Sequence, residues 1–226
     1  MSEAHRLLIV DDDPLVREAY RAFFSRQSEF EVCGEARDGA EAVATYGDLA
    51  PAIVLMDLQM PVVSGIEAIR QICQRWSDAC VVAMTTFGTS EYVVAALRAG
   101  AAGYLLKDVG GPALLTGLRQ ALAGDMPLSS SVRRELVSSV LQDRPAIRAP
   151  TTGVSVTPRE HELLRWLAQG LTNQQIGAQM YVSEGSVKQY LLNVGRKMGV
   201  TSRTSILIRA VQLNLVDPHA LPPVRD

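Results

Sequence analysis

Short apolar runs alternate with amphipathic stretches through the first half of this 226-residue chain. Each apolar run has the length of a buried strand, and each stretch after it repeats its apolar positions at helical spacing. The runs predict strands at 6–10, 30–36, 52–56, 80–85 and 103–106, and the other stretches predict helices at 14–28, 40–46, 64–75, 90–99 and 111–123. In the first helix, we expect the core face to carry Leu15, Ala19, Ala22 and Phe23. This alternation of strand and helix is typical of an α/β fold with a doubly wound, five-stranded parallel sheet.

The second half shows helical patterning only. Thr157-Pro158-Arg159-Glu160 opens a helix with an N-cap, a proline at the first position and a glutamate three residues after the cap. Further helices are predicted at 173–180, 184–198 and 203–214. A tight turn at 181–183 joins two of them, which is the arrangement of a helix-turn-helix. The sequence therefore predicts an all-α, four-helix domain after the α/β domain.

A change of composition marks the joint between the two domains. Residues 125–153 are rich in proline, serine and arginine and contain one short helical pattern at 131–141. We therefore divide the chain into a first domain at 1–124, a linker with a short helix at 125–153, a second domain at 154–217 and a tail at 218–226.

The charge balance differs between the two domains. The chain carries −2 overall, but residues 1–125 carry −7 and residues 154–217 carry +3. An acidic half joined to a mildly basic half indicates that only the second half meets a polyanion. No apolar run approaches the ~18 residues that cross a membrane, and the three cysteines lack the spacing of a metal site. We therefore expect a cytoplasmic protein with reduced thiols and no membrane partner.

Polar side chains stand where the predicted strands end. Asp11 and Asp12 follow the first strand, Asp57 follows the third, Thr85 ends the fourth and Lys107 follows the fifth. Because parallel strands end at the same edge of a sheet, we expect these side chains to lie together. Three carboxylates need a cation, and oxygen ligands at an open site suit Mg²⁺. Asp57 alone could simply cap a loop, but the full set predicts a nucleophilic aspartate that forms an acyl phosphate.

The helix predicted at 184–198 has one apolar face and one polar face. At ~100° per residue, the core face carries Val187, Leu191, Val194 and Met198. The opposite face carries Gly185, Gln189, Leu192 and Arg196, flanked by Lys188 and Asn193. Glutamine, asparagine and arginine can reach base edges, and lysine binds phosphate. Any exposed helix face has a similar composition, so this pattern alone leaves DNA reading and a plain solvent-exposed surface both open.

Residues from about 6 to 123 resemble the receiver domain of a two-component response regulator. The family's acidic pair, its acceptor aspartate in Asp-x-x-Met-Pro, its threonine or serine and its lysine are matched by Asp11, Asp12, Asp57, Thr85 and Lys107. The resemblance implies a flavodoxin-like fold and phosphoryl transfer from a sensor histidine kinase to Asp57. It implies direct Mg²⁺ ligation by Asp12, Asp57 and the main-chain carbonyl of Gln59, with Asp11 acting mostly through water. It also implies that Lys107 pairs with the phosphoryl group, that Thr85 moves toward it and that Tyr104 follows.

Several positions near this predicted pocket allow more than one interpretation. Tyr104 could equally be a half-buried strand aromatic, and we interpret Asp13, the third acid of its run, as the N-cap of the first helix. The resemblance gives Gln59 and Phe87 control over the access of water to the phosphate. We hypothesise that bulky Phe87 shields the site, so that replacing it with alanine shortens the lifetime of the phosphorylated state.

Residues 156–216 resemble the LuxR-type DNA-binding domain that accompanies receivers in the NarL/FixJ family. The matching stretches include 157–160, 170–173, 182–188, 197–200 and 202–204. The resemblance implies that Lys188, Gln189 and Leu192 face the major groove and that Lys188 and Lys197 hold phosphates. We add Asn193 and Arg196 as candidate contacts because they share the polar face. The last helix often forms the dimer contact in this family, and its candidates, with packing inside their own domain as the alternative, are Ile206, Ala210 and Leu213.

The sequence departs from the LuxR-type pattern before Ile176 and at two glycines. Gln174 and Gln175 stand where the family often has Lys-Glu, and Gly177 and Gly195 are poor residues for a helix interior. These departures bear on the operator and on helix stability rather than on the fold.

We therefore expect a transcriptional regulator that accepts a phosphoryl group at Asp57, binds double-stranded promoter DNA and forms a homodimer on phosphorylation. We expect no enzymatic activity beyond its own phosphorylation and dephosphorylation. Three alternatives stay open: a receiver that works by protein contacts without phosphorylation, a phosphohydrolase with Asp57 as nucleophile, and an interaction module with a vestigial last domain. The second domain contains no catalytic constellation, which disfavours the hydrolase.

Overall fold

The computed structural model describes residues 4–86, 90–126 and 154–216, and only the backbone of residues 90 and 91. The chain divides into two compact units, Met1–Ala123 and Gly124–Asp226. The predicted linker helix, the tail and Phe87 lie outside the described residues. Within the described ranges, no helix combines the length and the apolar character needed to cross a membrane.

The first unit is a parallel sheet flanked by helices. Its strands, in the spatial order β2-β1-β3-β4-β5, are β1 (His5–Val10), β2 (Phe30–Ala36), β3 (Ile53–Asp57), β4 (Val81–Thr85) and β5 (Gly103–Leu106). Its helices are α1 (Pro14–Phe24), α2 (Gly39–Leu49), α3 (Gly65–Arg75), α4 (Ser90–Ala99) and α5 (Gly111–Leu122). This arrangement confirms the predicted flavodoxin-like fold. The strand order reverses beside β1 and β3, so a crevice for ligands is expected at their carboxyl ends.

Helix α1 buries a different face from the one predicted. Leu15 is 71% exposed, whereas Phe24 is 1% exposed and packs with Phe23 and Phe30. The predicted face is therefore wrong by one residue, because the aromatic side chains bury more apolar area than Leu15 and two alanines could. The helix also ends at Phe24 rather than at residue 28. Asp13 caps it as expected, accepting a hydrogen bond from the Leu15 backbone N–H.

The three cysteines lie in the first unit as free, partly buried thiols. Burial raises the pKa of Cys73 to about 11. Burial likewise raises the pKa of Cys80 to about 12. Both groups are therefore protonated thiols at neutral pH.

The second unit is helical throughout its described residues. It comprises α6 (Pro158–Ala168), α7 (Asn173–Met180), α8 (Glu184–Met198) and α9 (Arg203–Gln212). Thr157 and Thr172 form capping boxes at the starts of α6 and α7. The predicted dimer candidates on the last helix are instead buried in their own unit: Ile206, Ala210 and Leu213 are at most 8% exposed.

The two unfavourable glycines of this unit are explained by close backbone approaches. A Cβ at Gly177 would lie 2.7 Å from the carbonyl oxygen of Val182, and one at Gly195 would lie 2.5 Å from that of Val200. Only glycine allows the turns after α7 and α8 to fold back this tightly.

Two residues that we assigned to the linker pack on the second unit. The Asp125 carboxylate accepts a 2.9 Å hydrogen bond from the Asn173 backbone N–H, at the start of α7. Met126 is 8% exposed and its sulfur accepts a 3.2 Å hydrogen bond from the Thr204 hydroxyl. Asp125 supplies the negative charge that the N-terminus of a helix favours.

Candidate functional site

Three carboxylates converge at the carboxyl edge of the sheet. Asp57 is the last residue of β3 and is 5% exposed, and Asp11 directly follows β1 and is 2% exposed. One carboxylate oxygen from each of Asp11, Asp12 and Asp57 can be chosen so that all three lie within 4.8 Å of one another. The structure therefore brings together the acids that the sequence placed at separate strand ends.

Lys107 joins this cluster from the end of β5. Its Nζ lies 2.7 Å from Asp11 Oδ2 and 3.1 Å from Asp57 Oδ2. Its backbone N–H donates to the carbonyl oxygen of Thr85, which continues the pairing of β4 and β5 past the last strand residue. The ammonium group therefore bridges the two buried carboxylates, Asp11 and Asp57, so that one cation contacts two of the three acids.

Burial and charge shift the ionisation of this pocket in defined directions. Burial raises the pKa of Asp57, against the opposing effects of the Lys107 charge and hydrogen bond. Burial acts to lower the pKa of Lys107, but the hydrogen bonds and charge interactions of this lysine with Asp11 and Asp57 raise the pKa overall. The lysine is therefore a stable cation that a phosphoryl oxygen could contact.

The loop after β3 folds tightly over the end of that strand. A Cβ at Gly65 would lie 1.9 Å from the carbonyl oxygen of Asp57, so only glycine fits there. Val62, in the same loop, is 88% exposed and has φ +65°, a left-handed conformation that β-branched residues rarely adopt. Gln59 is exposed, and its backbone N–H acts to lower the pKa of Asp57, against the larger opposite effect of burial.

Thr85 and Tyr104 lie on the neighbouring strands. Thr85 ends β4 and is 1% exposed, and Tyr104 in β5 is 9% exposed. In the part of the chain that is described, the buried Tyr104 hydroxyl has no hydrogen-bond partner. A side chain held by packing alone can change its position without breaking a hydrogen bond.

Arg17 supports the acid pair and was not predicted from the sequence. Its guanidinium donates to the carbonyl oxygens of Asp11, at 2.6 Å, and Asp12, at 3.3 Å, and pairs with Glu35. It thereby fixes the backbone from which both acids project. The available signal was a basic residue one turn into the helix that follows the acids.

Helix α8 of the second unit presents the predicted polar face to solvent. Val187, Leu191, Val194 and Met198 are at most 8% exposed, as their spacing predicted. Gly185, Lys188, Gln189, Leu192 and Arg196 are exposed, and Asn193 is intermediate. Lys188 pairs with Glu184 at 2.9 Å, and Gln189 donates to the Asn193 amide oxygen at 3.2 Å.

Lys197 lies away from this face and bonds to the start of α6. Its Nζ is 2.7 Å from Glu160 Oε2, and Glu160 is itself 5% exposed. The same carboxylate oxygen accepts the Thr157 backbone N–H in the capping box. Lys197 therefore fastens the end of α8 to α6, and the phosphate contact expected from the resemblance would have to share this ammonium group.

The parallel sheet and its acidic pocket are those of a receiver domain. The second unit has the helix-turn-helix arrangement found in DNA-binding domains. Residues 7–119 match the family described as response regulator receiver domain, and residues 154–210 match bacterial regulatory proteins, luxR family. The chain therefore belongs to the NarL-type response regulators, which are DNA-binding regulators of transcription.

Individual relatives agree with this assignment over nearly the whole chain. The chain is 35% identical to the uncharacterized transcriptional regulatory protein YxjL of Bacillus subtilis, covering 93% of this chain and 97% of that protein. It is 32% identical to the nitrate/nitrite response regulator protein NarL of Escherichia coli K12, covering 91% and 94%. The crystal structure of the response regulator ChrA, from a heme-sensing two-component system, is 32% identical, with a TM-score of 0.51 and coverage of 95% and 100%.

Proposed function

We propose that phosphorylation of Asp57 by a sensor histidine kinase controls binding of this regulator to promoter DNA in the cytoplasm. The observation that carries the proposal is the cluster of Asp11, Asp12 and Asp57 with Lys107 bridging two of them. Lys107 offsets one of three negative charges, so a further cation is needed before another anion can approach.

The donor set of this pocket fits Mg²⁺, because all of its charged donors are carboxylate oxygens. Asp12, Asp57 and the main-chain carbonyl of Gln59 would hold the ion, with Asp11 acting mostly through water. Bound there, Mg²⁺ would offset the charge of the incoming phosphoryl group.

In the proposed reaction, a carboxylate oxygen of Asp57 attacks the phosphorus atom of a phosphohistidine. The new O–P bond forms while the P–N bond breaks, and the electron pair of that bond stays on the imidazole nitrogen. Lys107 contacts a phosphoryl oxygen and orients the group. Thr85 then bonds to the phosphoryl group, and Tyr104, whose hydroxyl has no partner to lose in the described structure, moves into the vacated space.

This movement shifts an equilibrium between two states of the receiver and favours a homodimer. Helix α8 enters the major groove with Lys188, Gln189, Leu192, Asn193 and Arg196, and Lys188 and Lys197 hold phosphates. The exposure of the α8 face and the net +3 of residues 154–217 support this part of the proposal. A dimer would read two half-sites about one helical turn apart.

The first experiment measures the mass of the chain in solution, with Mg²⁺ and with or without acetyl phosphate. We expect a covalent phosphoryl adduct and a shift from monomer to dimer, both absent in Asp57→Asn. Asp13→Asn is the matched control, because it makes the same charge change two residues beyond Asp11 and asparagine also caps helices. It should behave as the wild type.

Two results would redirect the proposal. DNA binding without any adduct would indicate a receiver that works through protein contacts alone. Sustained turnover of a small phosphate ester by the wild type, but not by Asp57→Asn, would indicate a phosphohydrolase.

A further inference from the structure

The exposed face of α8 has an apolar residue at its centre. Leu192 is 60% exposed. Lys188, Gln189 and Arg196, three or four residues away, lie on the same exposed face of the helix. Its neighbour Leu191 is 8% exposed and supplies the core contact at this level of the helix. The fold therefore does not use the Leu192 side chain, which is available to a partner.

Gly185, on the same stripe, is not required by the packing of its own unit. A Cβ at Gly185 would have as its nearest neighbour, outside the adjoining backbone, Ser183 Oγ at 3.8 Å, which is ordinary contact. Gly177 and Gly195 differ, because a Cβ at either would collide with a carbonyl oxygen. About two turns before Leu192, the exposed face is thus free of side-chain bulk, which lets another surface approach the helix backbone closely.

The polar residues beside Leu192 favour one kind of base pair. Gln189 donates one amide hydrogen to Asn193, which leaves the Gln189 amide oxygen and the Asn193 amino group outside that bond. Side-chain amides pair in the major groove with the N6 and N7 atoms of adenine. The partner base of adenine is thymine, and its C5-methyl group is the apolar feature of the groove.

We propose that Leu192 contacts the C5-methyl group of a thymine in each half-site, with Gln189 on an adjoining adenine. This inference rests on the proposed entry of α8 into the major groove and adds the identity of the base. A leucine side chain has no hydrogen-bonding group, so its discrimination comes from burying the methyl group.

The test removes that methyl group alone. The full chain, with and without acetyl phosphate, first selects binding sites from a library of random-sequence duplex DNA. Each thymine of the selected half-site is then replaced, one at a time, by deoxyuridine, and affinity is measured at constant salt. One position per half-site should lose about fourfold in affinity, equivalent to the ~0.8 kcal/mol of one buried methyl-sized group.

Variants assign the loss to Leu192. In Leu192→Ala the deoxyuridine penalty should disappear, and in Leu192→Met, which keeps an apolar end, it should remain. Leu15→Ala is the matched control, because Leu15 is 71% exposed in the other unit and should leave the penalty unchanged. Since Leu192 is exposed, its replacement should not change the free energy of unfolding of the second unit. If alanine nevertheless perturbs the helix, Leu192→Met still tests whether an apolar side chain is needed for the penalty.

Two results would overturn the inference. If deoxyuridine is harmless at every position of a site that the chain binds, or if Leu192→Ala keeps the penalty, Leu192 does not read thymine although the protein binds DNA. If no sequence is enriched from the library in either state, the inference falls together with the proposed DNA reading.

Discussion

The contact between Glu160 and Lys197 allows a quantitative test of how α8 is held against α6. Glu160 Oε2 lies 2.7 Å from Lys197 Nζ and 2.7 Å from the Thr157 backbone nitrogen. Replacing Glu160 with glutamine keeps the shape and an amide oxygen for the cap but removes the charge. A hydrogen bond to a charged group contributes about 1.5–3 kcal/mol, and the 39% exposure of the Lys197 side chain places this one at the lower end. We expect Glu160→Gln to lower the free energy of unfolding of the second unit by about 1.5 kcal/mol.

The two tryptophans of the chain make the assay specific for each unit. Trp166 lies in α6 of the second unit and Trp76 follows α3 in the first. Urea unfolding followed by Trp166 fluorescence, in a Trp76→Phe background, reports the second unit alone. Glu162→Gln is the control, because Glu162 forms a surface pair with Arg159 and should lose less than about 0.5 kcal/mol. An equal loss in both variants would refute the reasoning.

The same pair predicts a pH dependence with a definite sign. Burial acts to raise the pKa of Glu160, but its bonds with Lys197 and Thr157 lower it overall, below the usual 4.5. A carboxylate with a lowered folded-state pKa stabilises the fold above its unfolded pKa, and this contribution is lost as the pH falls through the folded pKa. From about pH 5 downward, the wild-type unit should therefore lose stability faster than Glu160→Gln, and the two should converge in acid.

Three further substitutions have expected outcomes of their own. Val62→Gly should raise the free energy of unfolding of the first unit by about 1 kcal/mol by relieving the φ of +65°, whereas Val62→Ala should gain less; Trp76 fluorescence in urea measures both, and a loss in the glycine variant would contradict the strain. Tyr104→Phe removes a buried hydroxyl without a partner among the described residues, so the first unit should gain about 1 kcal/mol in thermal unfolding, and a loss would point to an unseen partner. Gly185→Ala should stabilise α8 by about 0.5 kcal/mol and yet weaken DNA binding in a mobility-shift assay; unchanged binding would mean that no surface approaches the helix there.

Much of the fold followed from local sequence signals. The strand runs, the turn glycines and the threonine caps are short-range features, so their positions could be predicted to within a few residues. The clustering of Asp11, Asp57 and Lys107 was also predictable, because parallel strands place their carboxyl ends along one edge. The predicted positions of the strands were therefore sufficient to locate the candidate site.

The remaining features depend on contacts between distant parts of the chain. The partner of Lys197 lies 37 residues earlier, and no periodicity within α8 indicates it. Helical spacing permits either of two adjacent stripes of α1 to be its buried face. Which stripe is buried depends on which one covers more apolar area against β1 and β2. The tight approaches at Gly177 and Gly195 involve carbonyl oxygens of the following turns, so the same glycines looked unfavourable when judged by helix propensity alone.

The raised pKa values of two thiols in the first unit limit their chemical reactivity. Oxidants and electrophiles react with thiolates, and the raised pKa values, about 11 for Cys73 and about 12 for Cys80, leave almost none at neutral pH. Residues 124–226 contain no cysteine at all, so no disulfide can tie the second unit to the first. At neutral pH, Cys73 and Cys80 are therefore expected to react only slowly with oxidants and electrophiles.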